Sequence, residues 1–196
     1  YKYSIAVSGT HGKTTTTGML TQLFIQAGKD PSAIIGGKLP FIGSNGRAGK
    51  SDIMICEACE YVDTFLKLSP AISIILNIDA DHLEYFGSLE NIIKSFHQFA
   101  NQTSKVLIVN GDDENVKKAI KDLQDVKIIT FGLGADNDYS AANIKEEPNV
   151  FEDFTLMKQG TPLTDIRLSV PGKHNIMNAL AAAATADYFG ISGNDI

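Results

Sequence analysis

The sequence predicts an α/β fold in which helices flank a mostly parallel sheet, with a small antiparallel β meander at the edge of the sheet near the C-terminal half. Three observations predict it. Apolar runs typical of strands alternate with helical patterns as far as Gly132, and a glycine-rich loop separates the first strand from the first helix. After Gly132 the runs become shorter and more polar, with turn residues between them, which is typical of antiparallel hairpins.

The parallel part of the sheet is predicted from continuous apolar runs, because strands buried on both faces are apolar at every position. These strands are expected at residues 3–7, 53–56, 71–76, 105–109 and 126–131. Helices are expected at 13–27 before Gly28, at 89–100 after the capping residue Ser88, at 114–123, and at 175–189 before Gly190. The meander strands are expected at 140–146, 150–158 and 163–170, with turns at 147–149 and 159–162.

Composition and charge exclude several classes of protein. The 196 residues are 43% hydrophobic and carry a net charge of −6, whereas a surface for nucleic acid is normally basic. No apolar run approaches the roughly 18 residues that span a bilayer, and the first residues lack the pattern of a signal peptide. Two cysteines cannot form a disulfide scaffold, which favours a reducing compartment. We therefore expect a cytoplasmic protein with neither nucleic-acid nor membrane partners.

The most specific local signal is the loop Gly9-Thr10-His11-Gly12-Lys13-Thr14, between a strand and a helix. Its backbone N–H groups and the helix N-terminus attract an anion, Lys13 supplies a full positive charge, and Thr14 supplies a hydroxyl for Mg²⁺. Val7 stands where the standard phosphate-binding spacing has its first glycine, so the loop is a shorter GxxGKT variant. The loop predicts a P-loop-type nucleotide site, with the hydroxyl of Thr15 as a further candidate ligand.

Two other strands run into polar side chains that such a site needs. The strand at 53–56 leads into Glu57, and the strand at 71–76 leads into Asn77-Ile78-Asp79-Ala80-Asp81-His82. Ligands gather at the carboxyl ends of strands in α/β sheets, so Glu57 and His82 are expected near Mg²⁺ and the γ-phosphate if both strands flank the first. Two alternatives remain open: Asp79 and Asp81 cap the following turn, or Glu57 is only a solvated strand end.

The pair Cys56 and Cys59 has the spacing of a metal or redox motif. Zinc needs about four ligands, and the chain has no second cysteine pair. A redox pair usually begins a helix, whereas Cys56 closes an apolar strand. We therefore expect both cysteines to be small, buried or half-buried residues without redox chemistry.

Four motifs, in this order along the chain, resemble those of the Mur ligases, which add amino acids to the peptidoglycan precursor. They are SGTHGKTTTT (8–17), EACEYVDTFL (57–66), NIDADHLEYFGSLENI (77–92) and PGKHNIMNALAAAA (171–184). The resemblance implies that residues 1–196 are a central ATP-binding domain, with a UDP-sugar-binding domain before it and an amino-acid-binding domain after it. The chain is similar to the branch that adds L-alanine to UDP-N-acetylmuramate through an acyl phosphate, so ATP, Mg²⁺ and these small-molecule substrates are implied.

The resemblance also implies roles for individual residues. Lys13 would contact the β- and γ-phosphates, Thr14 and Glu57 would bind Mg²⁺, and His82 would bind a second Mg²⁺, which makes Lys13 and His82 the candidate catalytic residues. A second group would lie near the adenine: His174, Asn175 and Asn178. A structural role for Asn175, as the cap of the last helix, is compatible with that placement.

The chain departs from the family pattern at two places. Cys59 stands where the family commonly has aspartate. Several sister ligases hold the second metal with a carbamylated lysine about fifteen residues after the motif histidine, where this chain has His97, and Lys94 comes three residues too early. The alanine-adding branch is thought to dispense with that lysine, and His97 is equally compatible with a helix-surface position.

Other functions remain open at this point. One is a sister ligase, either folylpolyglutamate synthetase or the recycling enzyme that attaches intact tripeptide to the same muramyl acid. Another is a P-loop nucleotide switch that hydrolyses its nucleotide without an acceptor. A non-catalytic interaction domain is disfavoured, because the phosphate loop, the acid and the histidine all fall at strand ends.

Overall fold

A computed structural model describes residues 1–145 and 152–196 and contains one mixed sheet. Its strands are β1 (Tyr3–Ser8), β2 (Ser32–Leu39), β3 (Ser44–Arg47), β4 (Ile53–Glu57), β5 (Ile72–Ile75), β6 (Val106–Asn110), β7 (Lys127–Phe131), β8 (Tyr139–Lys145), β9 (Asp153–Lys158) and β10 (Thr161–Arg167). The helices are α1 (Lys13–Gln26), α2 (Leu83–Phe86), α3 (Leu89–Asn101), α4 (Glu114–Ile120) and α5 (Lys173–Tyr188). Short 3₁₀ segments cover Pro40–Ile42 and Tyr61–Lys67. No helix among these residues is long and apolar enough to cross a bilayer.

The strand that carries the phosphate loop lies between the two strands whose ends were predicted to face it. The order across the sheet is β10-β9-β8-β7-β6-β5-β1-β4-β2-β3. β1 pairs in parallel with β4, Val7 opposite Glu57, and with β5, Ser8 opposite Ile75. Because parallel strands end at the same edge, the segments that follow all three strands meet there. The predicted mostly parallel α/β sheet is confirmed.

Helices cover both faces of the sheet because the side chains of each central strand alternate between two cores. On β6, Ile108 belongs to a core that also contains Phe24 of α1 and Leu180 of α5. The neighbouring Val109 belongs to the opposite core, with Phe96 of α3. Burial on both faces explains why these strands are apolar throughout.

The edges of the sheet are antiparallel. β8, β9 and β10 form the predicted meander, whereas the antiparallel pair β2–β3 at the other edge was not predicted. The predicted turn 159–162 is too long, because β10 already starts at Thr161. Within that range, Gln159 and Gly160 adopt the positive φ of a tight hairpin, and β10 ends at Arg167. The predicted turn 147–149 and the strand ends at 146 and 150–151 lie outside the described residues.

Helix boundaries follow local chain geometry. Ser88 caps α3 as predicted, its Oγ accepting a 3.3 Å hydrogen bond from the N–H of Asn91. Asn175 does not cap α5, because the helix begins two residues earlier, at Lys173. Gly172, directly before the helix, has a φ of 105°, which is outside the helical range. The predicted helix 114–123 ends at Ile120, since Lys121 is extended and Asp122 has a positive φ.

Candidate phosphate-binding site

The loop between β1 and α1 has the geometry of an anion cradle. Gly9 and Gly12 adopt φ of 134° and 87°, which L-residues rarely reach. A Cβ on Gly9 would lie 3.0 Å from Cβ of Leu76, so the loop passes close to the end of β5. The N–H of Thr16 makes the first helical hydrogen bond, to the carbonyl of Gly12, and the N–H groups just before it have no helical partner. These N–H groups and the helix dipole favour a bound anion.

Asn77, which the sequence analysis did not single out, clamps this loop to the end of β5. Its carbonyl accepts from the N–H of Thr10 at 3.1 Å, and its side chain exchanges two hydrogen bonds with the backbone of His11, at 2.8 and 3.0 Å. The N–H of Asp79 donates to Oγ1 of Thr10 at 2.9 Å. The side chains of His11 and Asp79 are exposed and 3.7 Å apart. An asparagine directly after a buried strand was the only sequence signal for this role.

Lys13 is held by the loop and by a second acid that the sequence analysis missed. Its Nζ donates to the carbonyls of Gly9 (2.5 Å) and Thr10 (3.1 Å) and lies 3.2 and 3.0 Å from the two carboxylate oxygens of Glu60. The side chains of Lys13 and Glu60 are 17% and 3% exposed. Glu60 is the second glutamate of the motif Glu57-Ala58-Cys59-Glu60, and only its burial distinguishes it from a surface acid.

The predicted Mg²⁺ ligands are adjacent. Oγ1 of Thr14 donates to Oε2 of Glu57 at 3.2 Å, and Oε1 of Glu57 accepts from the N–H of Gly36 on β2 at 2.5 Å. Glu57 is therefore oriented from two sides and is not merely a solvated strand end. Thr15, one residue further on, is exposed and lines a groove between α1, β2 and β10.

His82 lies at the same edge, in the segment after β5. It adopts a left-handed conformation (φ 52°) before α2, and its ring centroid is 4.6 Å from that of Tyr61. Nδ1 is 3.5 Å from a carboxylate oxygen of Glu84, and Nε2 is 3.9 Å from one of Asp81. Asp81 also accepts from the N–H of His82 at 2.8 Å, so this acid helps to form the turn.

Metal ligation by His82 stays a prediction. Within the described ranges, no group of three or more histidine, cysteine, aspartate or glutamate side chains is arranged to hold a metal. His97 is half-buried on α3 and donates from Nδ1 to the carbonyl of Ala119 on α4, at 2.8 Å. The side chain of Lys94 on the same helix is exposed.

A cavity of about 360 Å³ lies between the phosphate loop and α5. Two of the three residues that the family resemblance implies for adenine, His174 and Asn178, line it, together with His11 and Gly12. A Cβ on Gly12 would come within 2.5 Å of Oδ1 of Asn178, so the glycine allows this close approach. Asn175 is buried beneath and accepts from Nδ2 of Asn178 at 3.1 Å, which makes it a support for that side chain.

The two cysteines are free thiols in different environments. Cys56 is half-buried at the end of β4, and burial, together with the neighbouring charge of Glu57, raises the pKa of its thiol. Cys59 is exposed, against the expectation of burial, because it lies in the turn beyond the sheet. That the two cysteines carry no redox chemistry stays a prediction.

Comparison with known proteins gives one consistent result. Residues 7–186 match the family described as the Mur ligase middle domain. The UDP-N-acetylmuramate–L-alanine ligase of Agathobacter rectalis is 43% identical over 198 residues, which cover 100% of this chain and 43% of that protein. This chain therefore spans less than half the length of that relative.

Two solved structures share the fold. UDP-N-acetylmuramate-alanine ligase from Thermotoga maritima has a TM-score of 0.81 and 29% identity, covering 96% of this chain and 42% of that one. UDP-N-acetylmuramate:L-alanyl-gamma-D-glutamyl-meso-diaminopimelate ligase from Neisseria meningitides has a TM-score of 0.85 and 26% identity, covering 97% of this chain and 63% of that one. Both similarities cover nearly all of this chain.

Proposed function

Because this chain belongs to the Mur ligase family, as a middle domain of that family, we propose that it is the ATP-binding domain of a longer ligase. The proposed reaction joins L-alanine to the carboxylate of UDP-N-acetylmuramate and converts ATP to ADP and phosphate. The observation that carries the proposal is the pairing of Lys13 with Glu60 and of Thr14 with Glu57 beside the start of α1, in a chain 42–45% identical to ligases of that name. Two free thiols support a reducing, cytoplasmic location.

In this proposal the nucleotide lies along the loop from the cavity to Lys13. His174 and Asn178 border the adenine, and Asn175 orients Asn178. The N–H groups at the start of α1 donate to the phosphates, and Lys13 places its charge at the γ-phosphate. Glu60 restricts the Lys13 side chain to this position, which lowers the entropic cost of ordering that side chain when the phosphates bind.

The donors beside the loop fit Mg²⁺. This ion prefers oxygen ligands, keeps several waters, and is usually bound by one or two carboxylates together with substrate phosphates. Thr14 and Glu57 offer a hydroxyl and a carboxylate whose oxygens are already 3.2 Å apart. These two residues would hold the ion, which would neutralise phosphate charge when bound, and His82 is proposed to serve a second Mg²⁺.

The chemistry proposed is phosphoryl transfer followed by acyl transfer. The acceptor carboxylate attacks the γ-phosphorus, which releases ADP and gives an acyl phosphate; the amine of L-alanine then attacks the acyl carbon and phosphate leaves. Phosphoryl transfer needs charge neutralisation and in-line positioning more than covalent help from protein. Lys13 and the α1 N-terminus supply the charge neutralisation, and the loop clamped by Asn77 and Asp79 supplies the positioning.

The test uses the full-length ligase with ATP, UDP-N-acetylmuramate and either L-alanine or the intact tripeptide. We expect ADP and amide in equal amounts with L-alanine and little product with the tripeptide. Release of ADP without an acceptor would favour a nucleotide switch, and product from the tripeptide alone would favour the recycling ligase. Calorimetric titration of the 196-residue chain with an ATP analogue should show weak binding that requires Mg²⁺, and binding indifferent to Mg²⁺ would contradict the assignment of Thr14 and Glu57.

A further inference from the structure

An exposed aromatic surface lies beside the phosphate loop. The rings of Tyr61, His82 and Tyr85, here called the aromatic platform, form one cluster, with Tyr61 4.6 Å from His82 and 6.3 Å from Tyr85. Tyr61 and Tyr85 are 44% and 43% exposed, and the adjoining Val62 and Leu83 are 46% and 45% exposed. Large apolar side chains grouped on a surface mark binding sites more often than scattered ones do.

Both segments of the platform are anchored to the phosphate loop. Tyr61 follows Glu60, whose carboxylate pairs with Lys13. His82 ends the segment in which the N–H of Asp79 donates to Thr10. Tyr61 is therefore one residue away from Glu60, the partner of Lys13. His82 is three residues away from Asp79, which contacts the phosphate loop.

The platform is held by packing and hydrogen bonds, and its backbone is strained. Phe65 stacks on Phe99 at 4.6 Å in the core beneath the turn. Asp63 accepts a 2.7 Å hydrogen bond from the hydroxyl of Tyr85, which raises the pKa of Tyr85 and ties the two segments of the platform together, and Asp63 accepts another hydrogen bond from Ser95 on α3. Val62 and Asp63 both have φ of 53°, and for the β-branched Val62 this conformation is costly. Strain of this kind is kept where it places side chains for function.

We propose that the aromatic platform binds the hexosamine ring of the acceptor substrate. This inference rests on the proposed function and deepens it. In UDP-N-acetylmuramate the reacting carboxylate is on a short ether side chain of the sugar, so the ring must lie within a few bonds of the γ-phosphate and of Lys13. Apolar faces of a pyranose pack on aromatic rings, as on the exposed ring of Tyr61. Asp81 and Glu84, exposed at the rim, accept from sugar hydroxyls and repel the diphosphate, which favours the uncharged ring as the occupant.

The experiment compares Tyr61→Ala, Tyr61→Phe and Phe41→Ala in the full-length ligase. Phe41 is a matched control, because it is an exposed aromatic residue outside the platform. Tyr61→Ala should raise KM for UDP-N-acetylmuramate about tenfold, with KM for ATP unchanged, and Tyr61→Phe should restore most of the affinity. Saturation-transfer NMR should show contact to the hexosamine protons in the wild type and the loss of that contact in Tyr61→Ala, with uridine contacts retained.

Two results would overturn the inference. One is wild-type KM and hexosamine contacts in Tyr61→Ala; the other is a shift in the Mg²⁺ requirement with unchanged acceptor affinity, which would make Tyr61 a support for His82 alone. If Tyr61→Ala fails to fold, Tyr61→Leu keeps the apolar bulk without the ring. This variant should also raise KM for UDP-N-acetylmuramate and leave KM for ATP unchanged. Ligation by the wild type tests the proposed function separately, since it is measured before any variant.

Discussion

The backbone N–H of Gly36 holds one oxygen of the Glu57 carboxylate at 2.5 Å, while the other oxygen lies 3.2 Å from the hydroxyl of Thr14. The contact depends on the missing side chain of Gly36, since a Cβ there would lie 2.6 Å from Oε2 of Glu57. β2 thus positions the carboxylate that is proposed to bind Mg²⁺. Groups that orient a metal ligand commonly change metal affinity about 10–100-fold when they are removed.

Gly36→Ala should weaken Mg²⁺-dependent nucleotide binding by the chain about tenfold. The new methyl group would displace the carboxylate, the flexible end of a side chain, so the fold should persist. Calorimetric titration with an ATP analogue at several Mg²⁺ concentrations measures the effect. Gly46→Ala is the matched control, because its Cβ would meet Ala33 at an ordinary 3.5 Å. Equal behaviour of the two variants would show that Gly36 has no positioning role.

Lys13→Ala should reduce the rate of ligation by the full-length enzyme far more than tenfold, which corresponds to an increase in the activation free energy well above about 1.4 kcal/mol. It should also destabilise the fold by roughly 3 kcal/mol, because Glu60 would keep a buried charge without its cation. Denaturant unfolding measures the stability, and coupled ADP release measures the rate.

The double variant Lys13→Ala/Glu60→Gln separates these two effects. It removes the unpaired charge, so it should recover most of the stability and none of the ligation. Recovery of ligation would show that Lys13 acts only on the fold. An unchanged stability in the single variant would contradict the pairing seen between the two side chains.

Continuous apolar runs predicted the central strands well, because β5 and β6 and most of β1 are buried on both faces and their composition reports that directly. β2 was missed because Gly36, Gly37 and Lys38 interrupt its apolar run. The glycines are there for close approach: a Cβ on Gly37 would lie 3.2 Å from Thr14, as one on Gly36 would lie against Glu57. The two glycines that made β2 hard to predict from the sequence are therefore part of the site.

The predicted site residues Lys13, Thr14 and Glu57 lie at one edge of the sheet because they follow the adjacent strands β1 and β4, which is the condition on which their prediction depended. Glu60 and Asn77 were missed because their roles depend on burial and on contacts across the chain. Spacing along the sequence carries no information about either. Asn175 was misassigned as a cap because the positive φ of Gly172 sets the helix start.

The two thiols should differ in reactivity. Burial raises the pKa of Cys56, so less of it is thiolate at any pH, whereas Cys59 is exposed. A thiol-specific disulfide reagent at pH 8 should modify about one cysteine per native chain quickly and the second only after unfolding. Cys59→Ser should abolish the fast reaction. Equal rates for both thiols in the native chain would contradict the burial of Cys56.

His82 and His97 should respond differently to Mg²⁺. His82→Ala should raise the Mg²⁺ concentration for half-maximal ligation about tenfold, if this ring serves the second ion. His97→Ala should leave that concentration near wild type and cost about 1 kcal/mol of stability, because His97 donates to the carbonyl of Ala119 on α4. Titration of activity with Mg²⁺ at fixed ATP, with thermal unfolding alongside, separates the two effects. A shift only in the His97 variant would assign it the role that a carbamylated lysine has in sister ligases, and equal shifts would remove His82 from the proposed metal site.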